Sequence, residues 1–463
     1  MTRMRFPATP ENKECSEEGG GTGCTSRLRE ALLGDDVRRA RTCLAVAIVA
    51  VAALYLLVAW ITGDQTEVIR DRYWKNAVPL FEGDLPTIEY PPLALLFIAI
   101  PYLFGSTPWG YETAWVAMIA VVAVVGLFTV CRLARDMGVR PVRWMVLYTF
   151  LTMIMYQFTF DRFDVIAMVI ALCAVVLFAE KRYPWAFLLL AVGTLVKVYP
   201  IFLFPVFFLY LALKGRDGLK DAVVGTAVAV AFGLGVLAAF WIANPDSAVN
   251  FIYYNTGRPL QIESVASSLA YFVSLTGVTS VWIQPGSEGI ASFYCDNLRG
   301  ALPDALAEWM LPLTVAALAV VWILYAFRRR SELLSGGGED WRLFSAACLA
   351  SLMVFLVFNK VFSTQYLIWI IGPALMYMMA RDEDPRGTTG RLVAAVILLG
   401  QMGYFYAYQH LGGGVAIDTS AMLIYLVKNL AVIALMCLSV RSMVRSDRLL
   451  KEPAEPDPAE RGA

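Results

Sequence analysis

The chain has 463 residues, of which 59% are hydrophobic and only 16% are charged. Soluble domains contain about 45–50% apolar and about 25% charged residues, so this composition excludes an ordinary soluble protein. The 38 basic residues balance the 38 acidic ones, and the resulting net charge of zero gives no indication of a nucleic-acid partner.

The first segment, residues 1–37, is polar and glycine-rich and lacks the apolar region of a signal peptide. We expect it to be a disordered cytoplasmic tail. An apolar run follows at 43–61, which approaches the roughly 20 residues that cross a hydrocarbon core. Arg38, Arg39 and Arg41 precede this run and predict a cytoplasmic N-terminus, because basic residues flank the cytoplasmic ends of spans.

Apolar runs continue along the whole chain. The other long ones lie at 113–131, 221–243, 310–327 and 420–440. Shorter runs lie between them, and a bundle interior can shelter short or broken helices. We therefore predict an all-α polytopic membrane protein, a bundle of about 12 transmembrane helices. Its core is expected at 38–445, and a second cytoplasmic tail at 446–463.

The segment 91–106 determines the predicted topology. It contains Pro101, and at about 1.5 Å rise per residue it falls short of a ~30 Å core. If it does not cross, the later basic clusters lie on the cytoplasmic side of the plasma (inner) membrane, as do both termini. The two large loops, 63–110 and 244–308, are then extracytoplasmic, and we expect interfacial helices in the first.

The first outer loop carries several carboxylates, most of which fit ordinary surface charges. Asp71 precedes an aromatic, amphipathic stretch that is expected to lie in the membrane interface. Glu89 abuts Tyr90, and two prolines follow that restrict the backbone. A carboxylate at a membrane-facing cavity can serve as a general base. The alternative for each residue is a solvated loop charge.

Two charged groups follow at helix boundaries. Asp161, Arg162 and Asp164 lie between two apolar runs, where an aspartate either caps a helix and pairs with Arg162 or contributes to a site at the bundle mouth. Lys197 precedes Tyr199 and a proline at a helix break. A cation there suits a phosphate, and the alternative is a lysine that extends to the membrane surface.

Later loops add further polar candidates. Arg258 either binds a phosphate through its planar fork or forms a clamp with Glu263. Lys360 is a second candidate phosphate ligand. Gln365 can hydrogen-bond a sugar or a lipid head, and Tyr366 is its neighbour.

The remaining signals concern buried charge and metals. Lys428 lies within the last apolar run and is expected to point into the bundle. His410 is the only histidine, which excludes a multi-histidine metal site and argues against a histidine-based triad. The acidic run Asp382-Glu383-Asp384 fits a solvated cytoplasmic loop. We predict no metal and no other cofactor, although a divalent metal is not excluded.

Seven short motifs lie in order along the membrane core. They are Asp71-x-Tyr73, Gly83-Asp84-Leu85-Pro86, Glu89-Tyr90-Pro91-Pro92-Leu93-Ala94, Phe160-Asp161-Arg162-Phe163-Asp164, Val196-Lys197-Val198-Tyr199-Pro200, Arg258-Pro259-Leu260-Gln261-Ile262-Glu263-Ser264 and Lys360-Val361-Phe362-Ser363-Thr364-Gln365-Tyr366. As an ordered set they resemble the polytopic glycosyltransferases of family 87, which have the C-type (GT-C) fold. That family includes mannosyltransferases that use polyprenol-phosphate-mannose.

The resemblance implies a fold, an activity and partners. It implies a membrane enzyme that moves a hexose such as mannose from a polyprenyl-phosphate donor to a lipid or glycan acceptor, with inversion. An outer-loop aspartate is implied to act as base, and by motif position this role falls to Asp71. Asp64 competes, because the family's aspartate usually lies closer to the first span. The family often has a histidine near the position of Asn255, which this chain lacks.

The expected site thus has three kinds of residue. Asp71 is the base; Lys197, Arg258 and Lys360 hold the donor phosphate. The residues expected to contact the sugar or acceptor, or to support the site, are Glu89, Tyr90, Asp161, Arg162, Asp164, Glu263, Gln365, Tyr366 and Lys428.

Two alternatives stay open at this point. One is a flippase or transporter of a lipid-linked saccharide, and the other is a ligase that uses a polyprenyl-diphosphate oligosaccharide. Transporters often show two similar halves, and no such repeat is visible in this chain. The polar residues also gather on one predicted side of the membrane, which favours the transferase.

Overall fold

The computed structural model describes residues 22–63, 67–286, 295–336, 340–411 and 417–445. For residues 22–35 and 407–411 only the backbone is described. Asp64 and the side chain of His410 therefore lie outside the described residues.

The described chain is a helical bundle. Its first helices are α1 (Thr22–Thr62), α2 (Lys75–Glu82), α3 (Ala94–Ala99), α4 (Pro108–Asp136), α5 (Pro141–Ile154) and α6 (Tyr156–Asp161). The middle helices are α7 (Asp164–Ala179), α8 (Tyr183–Val196), α9 (Phe204–Ala212), α10 (Arg216–Ala243), α11 (Pro245–Gly257) and α12 (Val265–Ser274). The last helices are α13 (Ala301–Leu334), α14 (Trp341–Phe358), α15 (Leu367–Arg381), α16 (Thr388–Leu411) and α17 (Thr419–Val444). A π-helix spans Ile69–Trp74, and 3₁₀ turns span Ile100–Leu103, Tyr199–Leu203 and Thr364–Tyr366.

Among the described residues, six helices are long and apolar enough to cross a membrane. They are Asp36–Thr62, Pro108–Asp136, Arg216–Ala243, Ala301–Leu334, Trp341–Phe358 and Thr419–Val444. The protein is therefore a helical multi-pass membrane protein. Several shorter apolar helices, such as α7 and α8, pack among the long ones. The total of about 12 spans stays a prediction.

Two details differ from the sequence-based expectations. Helix α1 begins at Thr22, so part of the expected tail 1–37 continues this helix. The bundle is also not purely α-helical, because the second loop forms a small antiparallel sheet in the order β1-β3-β2. Its strands are β1 (Leu260–Gln261), β2 (Trp282–Gln284) and β3 (Asn297–Arg299). Such short pairings in a long loop carry too few alternating residues to be recognised from sequence.

Helix α14 forms the centre of the bundle. In the 18-residue apolar stretch of α14, 83% of the residues are buried inside the protein, whereas only 11% are buried in the corresponding stretch of α10. Helix α14 packs on α13, α15 and α17. A helix that is apolar all round fits such an interior position.

One end of the bundle collects both large loops. Trp74 donates from its indole Nε1 to the carbonyl of Ser106 at 2.9 Å, and Tyr111 donates to the carbonyl of Ile98 at 2.8 Å. Tyr73, next to Trp74, lies against Tyr90 with ring centroids 6.3 Å apart. Both ends of the segment 91–106 therefore lie at the same end of the bundle, which agrees with a segment that does not cross. Asn244 donates to the carbonyl of Leu85 at 2.8 Å, which brings the second loop to the first.

We call this end the loop face, and it carries residues 67–107, 244–286 and 359–366. Helix α4 runs away from it for about 43 Å at 1.5 Å rise per residue. At the other end, which we call the basic face, Arg132 contacts Glu180 at 2.5 Å. Asp382 pairs with Arg143 at the same end. The acidic run at 382–384 thus lies at the face where sequence analysis expected it.

Candidate functional site

Lys197 and Asp164 form a buried ion pair near the loop face. Helix α8 ends at Val196 because Pro200 lacks an N–H and restricts the residue before it, and Lys197 adopts an extended backbone. Its Nζ lies 3.2 Å from Oδ2 of Asp164, which belongs to the first turn of α7. The indole Nε1 of Trp369 donates to Oδ1 of the same carboxylate at 2.8 Å. The alternative of a lysine extended to the membrane surface is therefore wrong.

Aromatic rings surround the ammonium group of Lys197. Its Nζ lies 4.5 Å from the ring centroid of Phe163, 5.1 Å from Tyr90 and 5.9 Å from Tyr366. Trp369 stacks on Tyr366 with ring centroids 3.9 Å apart. Each ring face attracts a cation, so this cage ties the first loop, α7 and the 3₁₀ turn at 364–366 to one charge.

Arg162 is placed differently from the expected helix-cap pair. Asp161 accepts a hydrogen bond from the hydroxyl of Tyr55, and Asp164 is occupied by Lys197. Within the described residues, no hydrogen bond or ion pair holds the half-buried Arg162 guanidinium. Its electrostatic neighbours are the hydroxyls of Tyr73, Tyr90 and Tyr404 and the carboxylate of Asp161. Asp164 lies in the first turn of α7, as the cap interpretation predicts, but α7 has no side-chain cap and neither aspartate forms an ion pair with Arg162 among the described residues.

Asp71 lies in the π-helix of the first loop. Its carboxylate contacts Arg70 at 2.8 Å and Lys75 at 3.0 Å, and its side chain is 18% exposed. The hydrogen bond from Arg70, with help from Lys75, outweighs the effect of burial and lowers the pKa of Asp71 to about 2. Single-turn π-helices recur at functional sites. Asp71 is therefore ionised at neutral pH but already compensated by two cations.

Glu89 is the second carboxylate of the first loop. Its Oε1 lies 3.9 Å from Arg72 and is buried without a hydrogen bond in the part of the chain that the structure describes. Glu89 also lies within electrostatic range of Lys197 and of the Tyr254 hydroxyl. Glu89, rather than Asp71, therefore lies near Lys197, one of the three candidate phosphate ligands.

Arg258 and Lys360 lie together at the start of the sheet. Lys360 donates from Nζ to the carbonyl of Thr256 at 2.6 Å, and its own carbonyl accepts from the N–H of Gln261 at 3.0 Å. Burial, together with the charge of Arg258, lowers the pKa of Lys360. Arg258 contacts the thiol of Cys295. Tyr366 is within electrostatic range of Arg258, and its ring centroid lies 5.9 Å from Nζ of Lys197, so Arg258 and Lys197 both lie near this ring.

Glu263 anchors the segment beneath these cations. Its Oε1 accepts from the hydroxyl of Thr364 at 2.5 Å, and its Oε2 accepts from Gln261 at 2.9 Å. The expected Arg258–Glu263 clamp is therefore wrong, because nearer neutral donors occupy the carboxylate. Lys428 is buried as expected, and its Nζ donates to the backbone carbonyl of Glu263 at 2.9 Å. Glu263 thus connects this segment to the 3₁₀ turn at 364–366, and Lys428 connects it to α17.

Sequence reasoning missed several residues at this end. Trp369, Thr364 and Tyr55 each hold a carboxylate of the site, yet all three lie in or beside apolar runs. The only signal in the sequence is a single hydroxyl or indole N–H group within or beside an apolar run. Such groups are common in membrane proteins, so they do not mark a site. Gln365, by contrast, makes no side-chain hydrogen bond within the described residues.

The geometry suits an anionic ligand with an apolar tail. Cations from four parts of the chain, Arg162, Lys197, Arg258 and Lys360, lie near carboxylates and aromatic rings at one end of an apolar bundle. The described residues contain no cluster of three or more histidine, cysteine or acidic side chains that could hold a metal ion.

Comparison with known proteins identifies the family. The sequence model of glycosyltransferase family 87 matches residues 88–358, which is more than half of the chain. The match includes Glu89, Arg162, Lys197 and Arg258, while Asp71 lies before it. No curated protein matches the chain. The chain therefore belongs to glycosyltransferase family 87 and is a membrane glycosyltransferase.

Proposed function

We propose that this protein transfers a hexose, such as mannose, from a polyprenyl-phosphate donor to a lipid or glycan acceptor. The observation that carries the proposal is the gathering of Arg162, Lys197, Arg258 and Lys360 at the loop face, with Asp164 and Glu89 near Lys197. We assign this face to the extracytoplasmic side of the plasma membrane, because the opposite face carries the basic loops.

The reaction requires charge stabilisation at two atoms. The base removes the proton of the acceptor hydroxyl, and the oxygen forms a bond to the anomeric carbon. The bond from that carbon to the phosphate oxygen breaks on the opposite side, so the configuration inverts. The leaving polyprenyl phosphate gains negative charge, which preorganised cations stabilise in a site of low polarity.

The structure supports a division of work among the cations. Arg162 forms no ion pair within the described residues and has only the electrostatic attraction of Asp161, and its planar fork matches two phosphate oxygens. Arg258 lies within electrostatic range of Tyr366, and Lys360 lies within electrostatic range of Arg258. The charge of Lys197 is compensated by Asp164, so Lys197 contributes to phosphate binding through the aromatic cage that it holds together rather than as an uncompensated charge.

Asp71 is the proposed base, and Glu89 is its competitor within the described residues. The ion pairs of Asp71 keep it ionised but also weaken its affinity for a proton. Activity therefore requires Arg70 or Lys75 to release the carboxylate when substrates bind. Glu89 needs no such release, since its Oε1 lacks a hydrogen bond.

Substitution of the two carboxylates tests this assignment. Asp71→Asn is expected to abolish transfer from polyprenyl-phosphate-mannose while donor binding and folding persist. Asp84→Asn is the matched control, because Asp84 is an exposed aspartate of the same loop. Full activity of Asp71→Asn together with an inactive Glu89→Gln variant would move the role of base to Glu89.

The same assay separates the alternative functions. The proposed enzyme forms a new glycosidic bond with inverted configuration and releases polyprenyl phosphate. Translocation of a lipid-linked saccharide without bond formation would contradict the proposal. Turnover of a polyprenyl-diphosphate oligosaccharide, but not of a monophosphate donor, would identify a ligase instead.

A further inference from the structure

A long apolar groove runs along the membrane-facing side of the bundle. It has a volume of about 1080 Å³ and lies between helices α1, α4 and α7. On α4 its lining runs from Val116 to Arg132, which corresponds to about 24 Å at 1.5 Å rise per residue. This length exceeds half of a ~30 Å hydrocarbon core, so the groove can hold the acyl chain of a lipid from one leaflet.

The lining of the groove becomes charged only at the basic face. Its charged members are Arg132, Glu180 and Arg182, and all three lie at this end. Arg41 of α1 stands 4.5 Å from the ring centroid of Phe128, which also lines the groove. Helix α1, helix α4 and the turn after α7 therefore each bring one arginine to the same end.

The charges at this end leave a positive excess. Arg132 is compensated, because it contacts Glu180 at 2.5 Å and Asp136 at 3.8 Å. Arg182 is exposed, and its side chain makes no hydrogen bond or ion pair with any residue that the structure describes. An anionic group at Arg182 and Arg41 would balance the remaining charge.

We propose that this groove binds one anionic glycerophospholipid, with its phosphate at Arg182 and Arg41 and one acyl chain along α4. The lipid comes from the leaflet at the basic face. Basic pockets between helices on the cytoplasmic side of a membrane are known to favour anionic head groups. Its polar end lies at the opposite face from the proposed transfer site, so the groove is a separate lipid site.

Native mass spectrometry of the full-length protein tests the proposal with two probes of matched chains, phosphatidylglycerol and phosphatidylcholine. The wild type is expected to prefer phosphatidylglycerol. Arg182→Glu should weaken phosphatidylglycerol binding at least about fivefold. Arg140→Glu is the control and should not weaken it, because Arg140 is exposed at the same face but lies outside the groove. Ala117→Trp, which fills the groove, should weaken binding of both lipids, while the exposed Val223→Trp on α10 should not.

Two results would overturn the proposal. Equal binding of both lipids, or an unchanged preference in Arg182→Glu, would identify ordinary lipid contact without a specific site. Displacement of phosphatidylglycerol by polyprenyl phosphate, together with a higher donor KM in Ala117→Trp, would assign the groove to the donor's tail. Lipid binding is measured without sugar transfer, so its outcome does not depend on the proposed donor.

Discussion

The ion pair between Lys197 and Asp164 yields a prediction about both stability and catalysis. In Lys197→Met the Asp164 carboxylate remains buried, and among the described residues Trp369 Nε1 is its one remaining side-chain donor. Removal of one partner from a buried ion pair costs about 3–5 kcal/mol, because the other charge stays desolvated. We expect a lower apparent melting temperature in detergent. The double variant Lys197→Met/Asp164→Asn removes both charges and should recover most of that loss.

Transfer activity then separates a structural lysine from one that acts on the phosphate. If Lys197 stabilises the leaving phosphate, the double variant stays about 10²–10³-fold below wild type in kcat, as for loss of one preorganised donor. Recovery of both stability and transfer in the double variant would show that Lys197 is structural only. An unchanged melting temperature in the single variant would contradict the buried pair itself.

Three further substitutions test the cations and their support. Arg162→Ala should lower kcat/KM about 10²–10³-fold with little change in melting temperature, and a matching loss of stability would instead indicate a structural residue. Because the pKa of Lys360 is lowered, its ammonium group loses its charge at a lower pH than that of an ordinary lysine. The KM for the donor should therefore begin to rise at a pH below the pKa of an ordinary lysine. Lys360→Arg should flatten that rise, since arginine stays charged. Thr364→Val removes a donor to buried Glu263, so it should lower the free energy of unfolding by about 1–3 kcal/mol and raise the KM for the donor. Thr364→Ser should keep the stability and the KM of the wild type. Equal behaviour of the two variants would refute the role of that hydroxyl.

The outline of the fold follows from simple sequence properties. Apolar run length predicts the helical membrane protein, and the short segment 91–106 predicts a helix that does not cross. The contacts of Trp74 with Ser106 and of Tyr111 with Ile98 agree with that topology. The sheet in the second loop is not predictable in this way, because strands of two or three residues show no period.

The site was less predictable, because partner choice depends on three-dimensional proximity. Sequence neighbours suggested that Arg162 pairs with an adjacent aspartate. The helix break at Lys197 instead brings an ammonium group from α8 to Asp164, which leaves Arg162 without that partner. Similarly, Glu263 is satisfied by Thr364, a residue 101 positions away. Residue types indicated an anion site, but their pairing required the fold.

A structure of the protein with polyprenyl phosphate bound tests the proposed donor site most directly. We predict that the phosphate lies at the loop face, within hydrogen-bond distance of Arg162 and of at least one of Arg258 and Lys360. A phosphate bound at the basic face, or at the loop face without contact to any of these three cations, would contradict the proposed mechanism.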